Sequence, residues 1–243
     1  MPPKLGFKLL VSFDVTTDRQ SLPGFDSPRL QSLLSYLLLH RGAPQSRQWL
    51  AALLWPGTSE RQARTNLRKI ILFLRRALPA ENTYLICNGS TLEWRQDAPF
   101  TLDVAEFEAA LAAGAFERAV TMYAGDLLPG FYDEWVCAER EHLFQTYQKT
   151  LEHLIRQKED AGDYAAALGF AQQLLQCDPL REEVHRHIMR LYDLKGDRAA
   201  ALHAYQQCAA LLQRELDVPP SPATRQVYER LLSHRADASQ LVS

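Results

Sequence analysis

Residues 60–78 of this 243-residue chain read ERQARTNLRKIILFLRRAL, and no other stretch limits the fold so strongly. At 100° per residue, Ala63, Leu67, Ile70, Ile71, Leu74 and Leu78 gather on one side of a helix. Arg61, Arg64, Thr65, Arg68, Lys69, Arg75 and Arg76 take the opposite arc. Such a helix buries one face and leaves six cations on the other, with Glu60 as its single acid. A solvated charged face ordinarily interleaves Glu with Lys or Arg at i,i+4, and here that interleaving is missing. Like charges so placed repel one another. They become favourable against a phosphate backbone, where each neutralised phosphate releases counterions.

The flanking sequence supplies the rest of a small domain. Residues 5–15 (LGFKLLVSFDV) read as a strand, followed by a polar turn at Thr17-Asp18-Arg19-Gln20 and a short second strand near 20–25. Ser27-Pro28 opens a helix to about His40, with Leu30, Leu33, Leu34, Leu37 and Leu38 on one face and Gly42 at its end. Ser46 caps a shorter helix closed by Pro56-Gly57, and Ser59-x-x-Gln62 has the form of a capping box for the basic helix. Two short strands, 84–87 and 91–94, flank Asn88-Gly89-Ser90 and predict a hairpin. Strands, three helices and a hairpin make a winged helix-turn-helix with an added N-terminal sheet. The hairpin tip carries no cation, and Arg95 stands at its base. Leu72 and Phe73 fall in or beside the basic arc, and packing on the wing is the expected place for both.

From Asp103 the pattern turns helical, and Asp103-x-x-Glu106 reads as another capping box. Gly162-Asp163 and Gly196-Asp197 stand 34 residues apart, the period of a tetratricopeptide repeat, with Ala167, Ala201 and an Asp178-Pro179 break in support. Ser221-Pro222 starts a last helix to about Leu232. The fold class expected is therefore mainly α: an N-terminal winged helix-turn-helix (α+β) followed by an all-α tetratricopeptide-like repeat. The expected domains are 1–97, the DNA-binding winged helix, and 98–235, the helical module, with a frayed tail at 236–243.

Charge divides along the same line. Residues 1–97 hold 13 Lys/Arg against 7 Asp/Glu, a net of +6, while residues 98–243 hold 14 against 22, a net of −8. One half is suited to a polyanion and the other is not. The four cysteines are scattered without a C-x-x-C pair, which argues against a zinc site and for reduced thiols. No apolar run approaches the roughly 20 residues of a membrane span, and the start, MPPKLGFKLLVSFDV, lacks a signal peptide's apolar segment, so a cytoplasmic protein is expected. No enzyme constellation, metal site or cofactor site emerges. His185 and His187 are two apart and point to different helix faces; His142, His153 and His203 have no partnered Cys or Asp pattern.

On the basic helix, Arg64, Thr65, Arg68 and Lys69 in the N-terminal half are the base-reading candidates, with Asn66 nearer the rim. Arg61 shares their face. Arg75 and Arg76 come later and suit phosphates.

The segment LRKIILFLRRAL, after a leucine-rich helix and Leu54-Trp55-Pro56, resembles the DNA-binding domain of the Streptomyces antibiotic regulatory proteins, an OmpR-type winged helix. The second half is similar to the bacterial transcriptional activator domain. The residues that carry this likeness are Asp103…Phe107, then Tyr123 to Gly130 (YAGDLLPG), Trp135 and Arg140. Further along they are Gly162-Asp163-Tyr164, Asp178-Pro179-Leu180-Arg181-Glu182 and Ala204-Tyr205. The resemblance implies an activator that binds promoter direct repeats near the −35 element as double-stranded DNA and recruits RNA polymerase. Tandem sites imply two copies meeting on DNA, a homodimer formed there. It also implies that the position of Arg75 contacts backbone and that positions 65–69 face the groove. Phe73 departs from the family's pattern at a place often polar, and so does the turn at 17–20. Many relatives continue into an ATPase, but this chain has no G-x-x-x-x-G-K-[ST] loop. The alternative reading is a helical protein-interaction module, the N-terminal part of a longer ATPase-type regulator.

Overall fold

The structure, a computed structural model, describes residues 2–18 and 20–240, without the side chains of 234–240. The chain forms two compact units, Met1–Gln145 and Thr146–Ser243.

The first unit opens with β1 (Leu5–Lys8), β2 (Asp14–Thr17) and β3 (Gln20–Ser21). Then come α1 (Pro28–Leu39), β4 (Gln45–Ser46), α2 (Arg47–Leu54) and α3 (Glu60–Ala77). The wing is β5 (Leu85–Cys87) and β6 (Thr91–Trp94), and β7 (Phe100–Leu102), α4 (Asp103–Ala112) and α5 (Phe116–Met122) follow. Helix α6 (Glu134–Asp160) runs from this unit into the second. The strands form two sheets, ordered β3-β2-β1-β7 and β4-β6-β5.

The winged helix-turn-helix is present as expected, with three differences in its supporting sheet. The expected strand over 5–15 is a hairpin: β1 and β2 pair antiparallel, and the chain reverses through Val11 at φ 71°. Residues 9–11 leave the ladder because their backbone is engaged elsewhere. Leu9 and Leu10 donate N–H bonds of 2.8 Å to the Asp103 carboxylate, and Val11 N–H donates to Asp126 C=O at 2.8 Å. The expected second strand shrinks to β3, and Gly6 fits opposite β2 because any Cβ there would meet Thr16 Oγ1 at 2.6 Å.

The second difference is β7. The sequence places the helical module from 98, with its helices from Asp103 and no strand before them, yet Phe100–Leu102 pairs parallel with β1, so residues beyond the expected 97/98 boundary complete the front sheet. An aromatic cluster explains the pairing: Phe100 packs edge-on to Trp94 (5.6 Å) and Phe7 (6.2 Å), and Phe7 meets Trp94 at 5.3 Å. Three segments thereby bury rings that none could bury alone.

The third difference is Asp103. Leu102 takes the N-cap position of α4 and Asp103 the first helical one, so the capping box is not formed. Its carboxylate instead accepts from Leu9, Leu10 and Val104 N–H groups, all at 2.8 Å. Burial pushes this carboxyl above the ordinary carboxylate range, with the three N–H donors pulling the other way. The other caps behave more simply. Ser46 accepts from Trp49 N–H and Ser59 from Gln62 N–H, each at 3.4 Å, while Ser27 stands at the N-cap of α1 with no side-chain bond.

The segment Gly125–Gly130 folds back onto residues 9–11, with Leu128 N–H donating to Leu9 C=O at 2.8 Å. Arg140 on α6 fixes this loop: its guanidinium donates to the carbonyls of Leu127 (2.8 Å), Leu128 (2.7 Å) and Phe131 (3.0 Å). Asp133 accepts from Arg29 (2.5 Å) and Ser32 Oγ (3.0 Å) on α1, and buried Trp135 meets Tyr36 edge-on at 5.2 Å.

The second unit contains the remainder of α6, then α7 (Tyr164–Cys177), α8 (Glu182–Leu194), α9 (Arg198–Leu216) and α10 (Pro222–Gln240). The two Gly-Asp turns are equivalent. Gly162 and Gly196 adopt φ 73° and 80°, and Asp163 and Asp197 accept from the Ala166 and Ala200 N–H groups at 3.1 and 3.0 Å. Ala167, Ala171, Ala201 and Ala204 are buried where neighbouring helices approach. Glu182 accepts from Ser221 N–H and Oγ (2.9 and 2.8 Å), tying α8 to the start of α10. The last helix passes the expected end at Leu232 and reaches Gln240, and residues 241–243 of the expected tail lie outside the described residues.

Replacing Arg140 by Ala orphans three carbonyls at once. A urea titration is expected to show a loss of about 2–3 kcal/mol, less than half recovered by Arg140→Lys, whose single ammonium lacks the fork. The raised Asp103 pKa has a definite sign: the native state holds this proton to higher pH than the unfolded chain does. Its contribution to stability is therefore present below about pH 4 and lost as pH rises through the native pKa. Asp103→Asn is expected to cost about 1–3 kcal/mol at pH 7, because its amide nitrogen would face an N–H donor. The same variant should flatten the dependence of unfolding free energy on acidic pH.

Candidate nucleic-acid interface

Helix α3 meets its expected phase. Ala63, Leu67, Ile70, Ile71 and Leu74 are buried, with Leu78 buried at the C-cap, while Arg61, Arg64, Arg68, Lys69, Arg75 and Arg76 are exposed. Thr65 and Asn66 lie at the half-buried flank. The helix is placed by α1, whose Leu30, Leu33, Leu34, Leu37 and Leu38 are all buried, and by α2.

The eight residues differ in how free they are. Arg64 is held by Glu60 at 2.6 Å. Thr65 Oγ donates back to Arg61 C=O at 2.9 Å, and Asn66 Oδ1 accepts from Gln62 at 2.9 Å. Arg75 makes a two-pronged contact with Glu81, at 2.9 and 2.5 Å. The Glu81 hydrogen bond and charge push the Arg75 pKa up, and Arg75 draws Glu81 below the usual carboxylate range. The cation expected to grip a phosphate thus already grips a carboxylate. Among the described residues, Arg61, Arg68, Lys69 and Arg76 make no ion pair.

Phe73 does not pack on the wing as expected. Phe73 is 53% exposed and borders a hollow formed by Leu22, Pro23, Gly24 and Leu30, on the β3–α1 side of α3, while Leu72 is 46% exposed. With 3.6 residues per turn, Leu67 and Ile71 line the cleft beside Gly89 and Ser90 of the wing, and position 73 falls on another side of the helix.

The wing hairpin forms, with Asn88 N–H donating to Thr91 C=O at 3.1 Å. The register pairs Asn88 with Thr91, so the loop residues are Gly89 and Ser90 rather than Asn88-Gly89, and Gly89 is not at positive φ, so the expected mirror-image Asn-Gly turn is not formed. Arg95 is turned to Asp97 (3.1 and 3.0 Å), each stabilising the other's charge. Sequence reasoning missed Arg47. It is the first residue of α2; its N–H donates to Ser90 C=O at 2.9 Å and its Nε to Thr91 C=O at 3.3 Å. Its one signal in the sequence is a cation at a helix start, where the dipole favours acids. A cleft of about 260 Å³ opens between α2, α3 and the wing tip, lined by Arg47, Arg64 and Arg68 with Ser46, Gln48 and Ser90.

The histidines expected not to share a metal have separate partners. His185 is buried with Nε2 2.9 Å from Pro179 C=O, and His187 Nε2 lies 2.8 Å from Glu159. No described helix is long and apolar enough to cross a membrane.

A winged helix with a basic third helix, joined to a helical repeat, defines a class of regulator. Residues 101–232 match the family model of the bacterial transcriptional activator domain, and the chain belongs to that family, as a regulator of the Streptomyces antibiotic regulatory protein type. It is 27% identical over 220 residues to the regulatory protein AfsR of Streptomyces coelicolor, covering 85% of this chain and 22% of that protein. It is 25% identical over 252 residues to the transcriptional regulatory protein MoaR1 of Mycobacterium tuberculosis, covering 93% and 78%. The chain thus spans about a fifth of the length of AfsR. The solved structure of Mycobacterium tuberculosis EmbR, in complex with a low-affinity phosphopeptide, superposes with a TM-score of 0.71 at 23% identity. The match covers 96% of this chain and 66% of that one, and shares its fold.

The phase of α3 can be checked directly. Leu74→Ala is expected to lose about 2–5 kcal/mol in a denaturant titration, whereas Phe73→Ser, one residue away, stays within about 0.5 kcal/mol of the parent.

Proposed function

We propose that the chain is a sequence-specific, DNA-binding transcription activator of the cytoplasm. Residues 1–97 would bind promoter direct repeats in double-stranded DNA, and residues 98–235 would recruit RNA polymerase. The observation that carries this reading is the outer face of α3, where Arg61, Arg68, Lys69 and Arg76 stand exposed without an acid to balance them. Arg64, Thr65, Arg68 and Lys69 are the proposed base readers, with Asn66 at the rim; Arg61, Arg75 and Arg76 are proposed for phosphates. The net charge of −8 in residues 98–243 turns that part towards protein, whether polymerase or a second copy bound to the neighbouring repeat. The chemistry proposed is binding, without a catalytic step, metal or cofactor.

A second reading rests on coverage. A chain spanning about a fifth of AfsR could be the front of a longer ATPase-type regulator, whose helical repeat serves protein contact.

Fluorescence anisotropy with labelled duplexes tests the first reading. Affinity for a random duplex should fall steeply as salt rises, and absence of any affinity at low salt would leave the protein-interaction reading. On a cognate repeat selected from a random pool, Arg68→Ala should lose about 1–3 kcal/mol, while Arg76→Ala should weaken all duplexes to a similar degree. Glu81→Gln, which releases Arg75, should tighten all duplexes and steepen the salt slope by up to about 0.9, one phosphate.

A further inference from the structure

The wing presents a puzzle if this domain binds DNA. A wing that approaches the backbone needs a cation, yet the tip residues Asn88, Gly89 and Ser90 carry none, and Arg95 at its base is spent on Asp97. The cation nearest the tip belongs to another element. Arg47, at the first position of α2, is fastened to the wing by two bonds, from its backbone N–H to Ser90 C=O and from its Nε to Thr91 C=O. Both fastenings use neutral acceptors, so neither cancels its charge. The Cys87 thiol beside it is kept neutral as well, because burial pushes that thiol above its ordinary value. Among the described residues Arg47 makes no ion pair.

The guanidinium is positioned rather than free to wander. It borders the cleft between α2, α3 and the wing, which Arg64 and Arg68 line from α3. No acid lines that cleft; Glu60, which holds Arg64 and Gln48, lies outside it. Among the described residues Arg47 and Arg68 make no ion pair, and together with Arg64, which Glu60 holds at 2.6 Å, they stand around one opening; with the hydroxyls of Ser46 and Ser90 and the Gln48 amide beside them they form a site for a phosphate. A fixed arginine loses less side-chain freedom on gripping an anion than a mobile one, which favours this position over a flexible wing tip.

We propose that Arg47 serves as the wing's cation, holding one phosphate of the DNA backbone in the cleft that it shares with Arg64 and Arg68. The proposal rests on the DNA-binding reading above. It makes Arg47 a positioning residue: it would fix the angle at which α3 meets the duplex without reading a base.

The test uses the full chain and a short labelled duplex of random sequence, with affinity followed against salt. Arg47→Gln removes the charge while leaving a donor for Thr91, and is expected to reduce the slope of log affinity against log salt by about 0.9, one phosphate. Arg47→Lys should restore the slope. Arg156→Gln, on α6, removes a charge from the helical repeat and should leave the slope unchanged. In the parent protein, the Arg47 Nε–H NMR signal should shift when the duplex is added, a readout that needs no variant to fold. A parent that binds with a slope shared by Arg47→Gln, or with an unmoved Arg47 signal, overturns the assignment of Arg47 alone. A parent that binds no duplex at low salt overturns the DNA reading and this assignment together.

Discussion

The Asp103 carboxylate holds the first unit together at the point where its strands and helices meet. By accepting from Leu9 and Leu10 it stops β1 from running on, and by accepting from Val104 it starts α4. The freed segment 9–11 is then available to Asp126 and Leu128, whose loop Arg140 secures through three carbonyls. Asp133, at the end of that loop, reaches Arg29 and Ser32 on α1. The helix that supports α3 is thus connected, through polar contacts, to residues a hundred positions later. A half-buried carboxylate is tolerated here because several donors satisfy it, and loss of any one leaves it less well satisfied.

This explains what the sequence could and could not show. The basic helix was legible because its signal is local: apolar positions every three or four residues and cations between them. The Gly-Asp turns were legible for the same reason, since each Asp caps the helix that begins beside it. Asp103 was misread as a capping-box residue because its main partners lie 93 and 94 residues away. Strand β7 was missed because three residues have no periodicity, and its pairing depends on rings contributed by Phe7 and Trp94. Arg47 escaped because its partners, Ser90 and Thr91, come from a hairpin more than forty residues downstream. The stretch Gly125–Trp135, which carries part of the family resemblance, turns out to be scaffold: its backbone bonds to residues 9–11 and to Arg140, and its Asp133 side chain bonds to α1.

The same geometry separates two kinds of arginine that the sequence counts alike. Arg29, Arg140 and Arg181 are committed to carboxylates or carbonyls within the protein. Arg61, Arg68 and Arg76 are not. A total of cations on a helix overstates what it can offer a partner, and Arg75, matched by Glu81, is the clearest case.

The placement of the tryptophans has a practical consequence. All four (Trp49, Trp55, Trp94 and Trp135) belong to Met1–Gln145, where Trp94 and Trp135 are buried and Trp49 donates its Nε1–H to Tyr36 at 3.0 Å. Intrinsic tryptophan emission therefore reports the state of the first unit and is silent on Thr146–Ser243. Circular dichroism of the helices reports both. Melting curves from the two signals will coincide if the units unfold together and separate if they do not, so the chain carries its own probe of cooperativity.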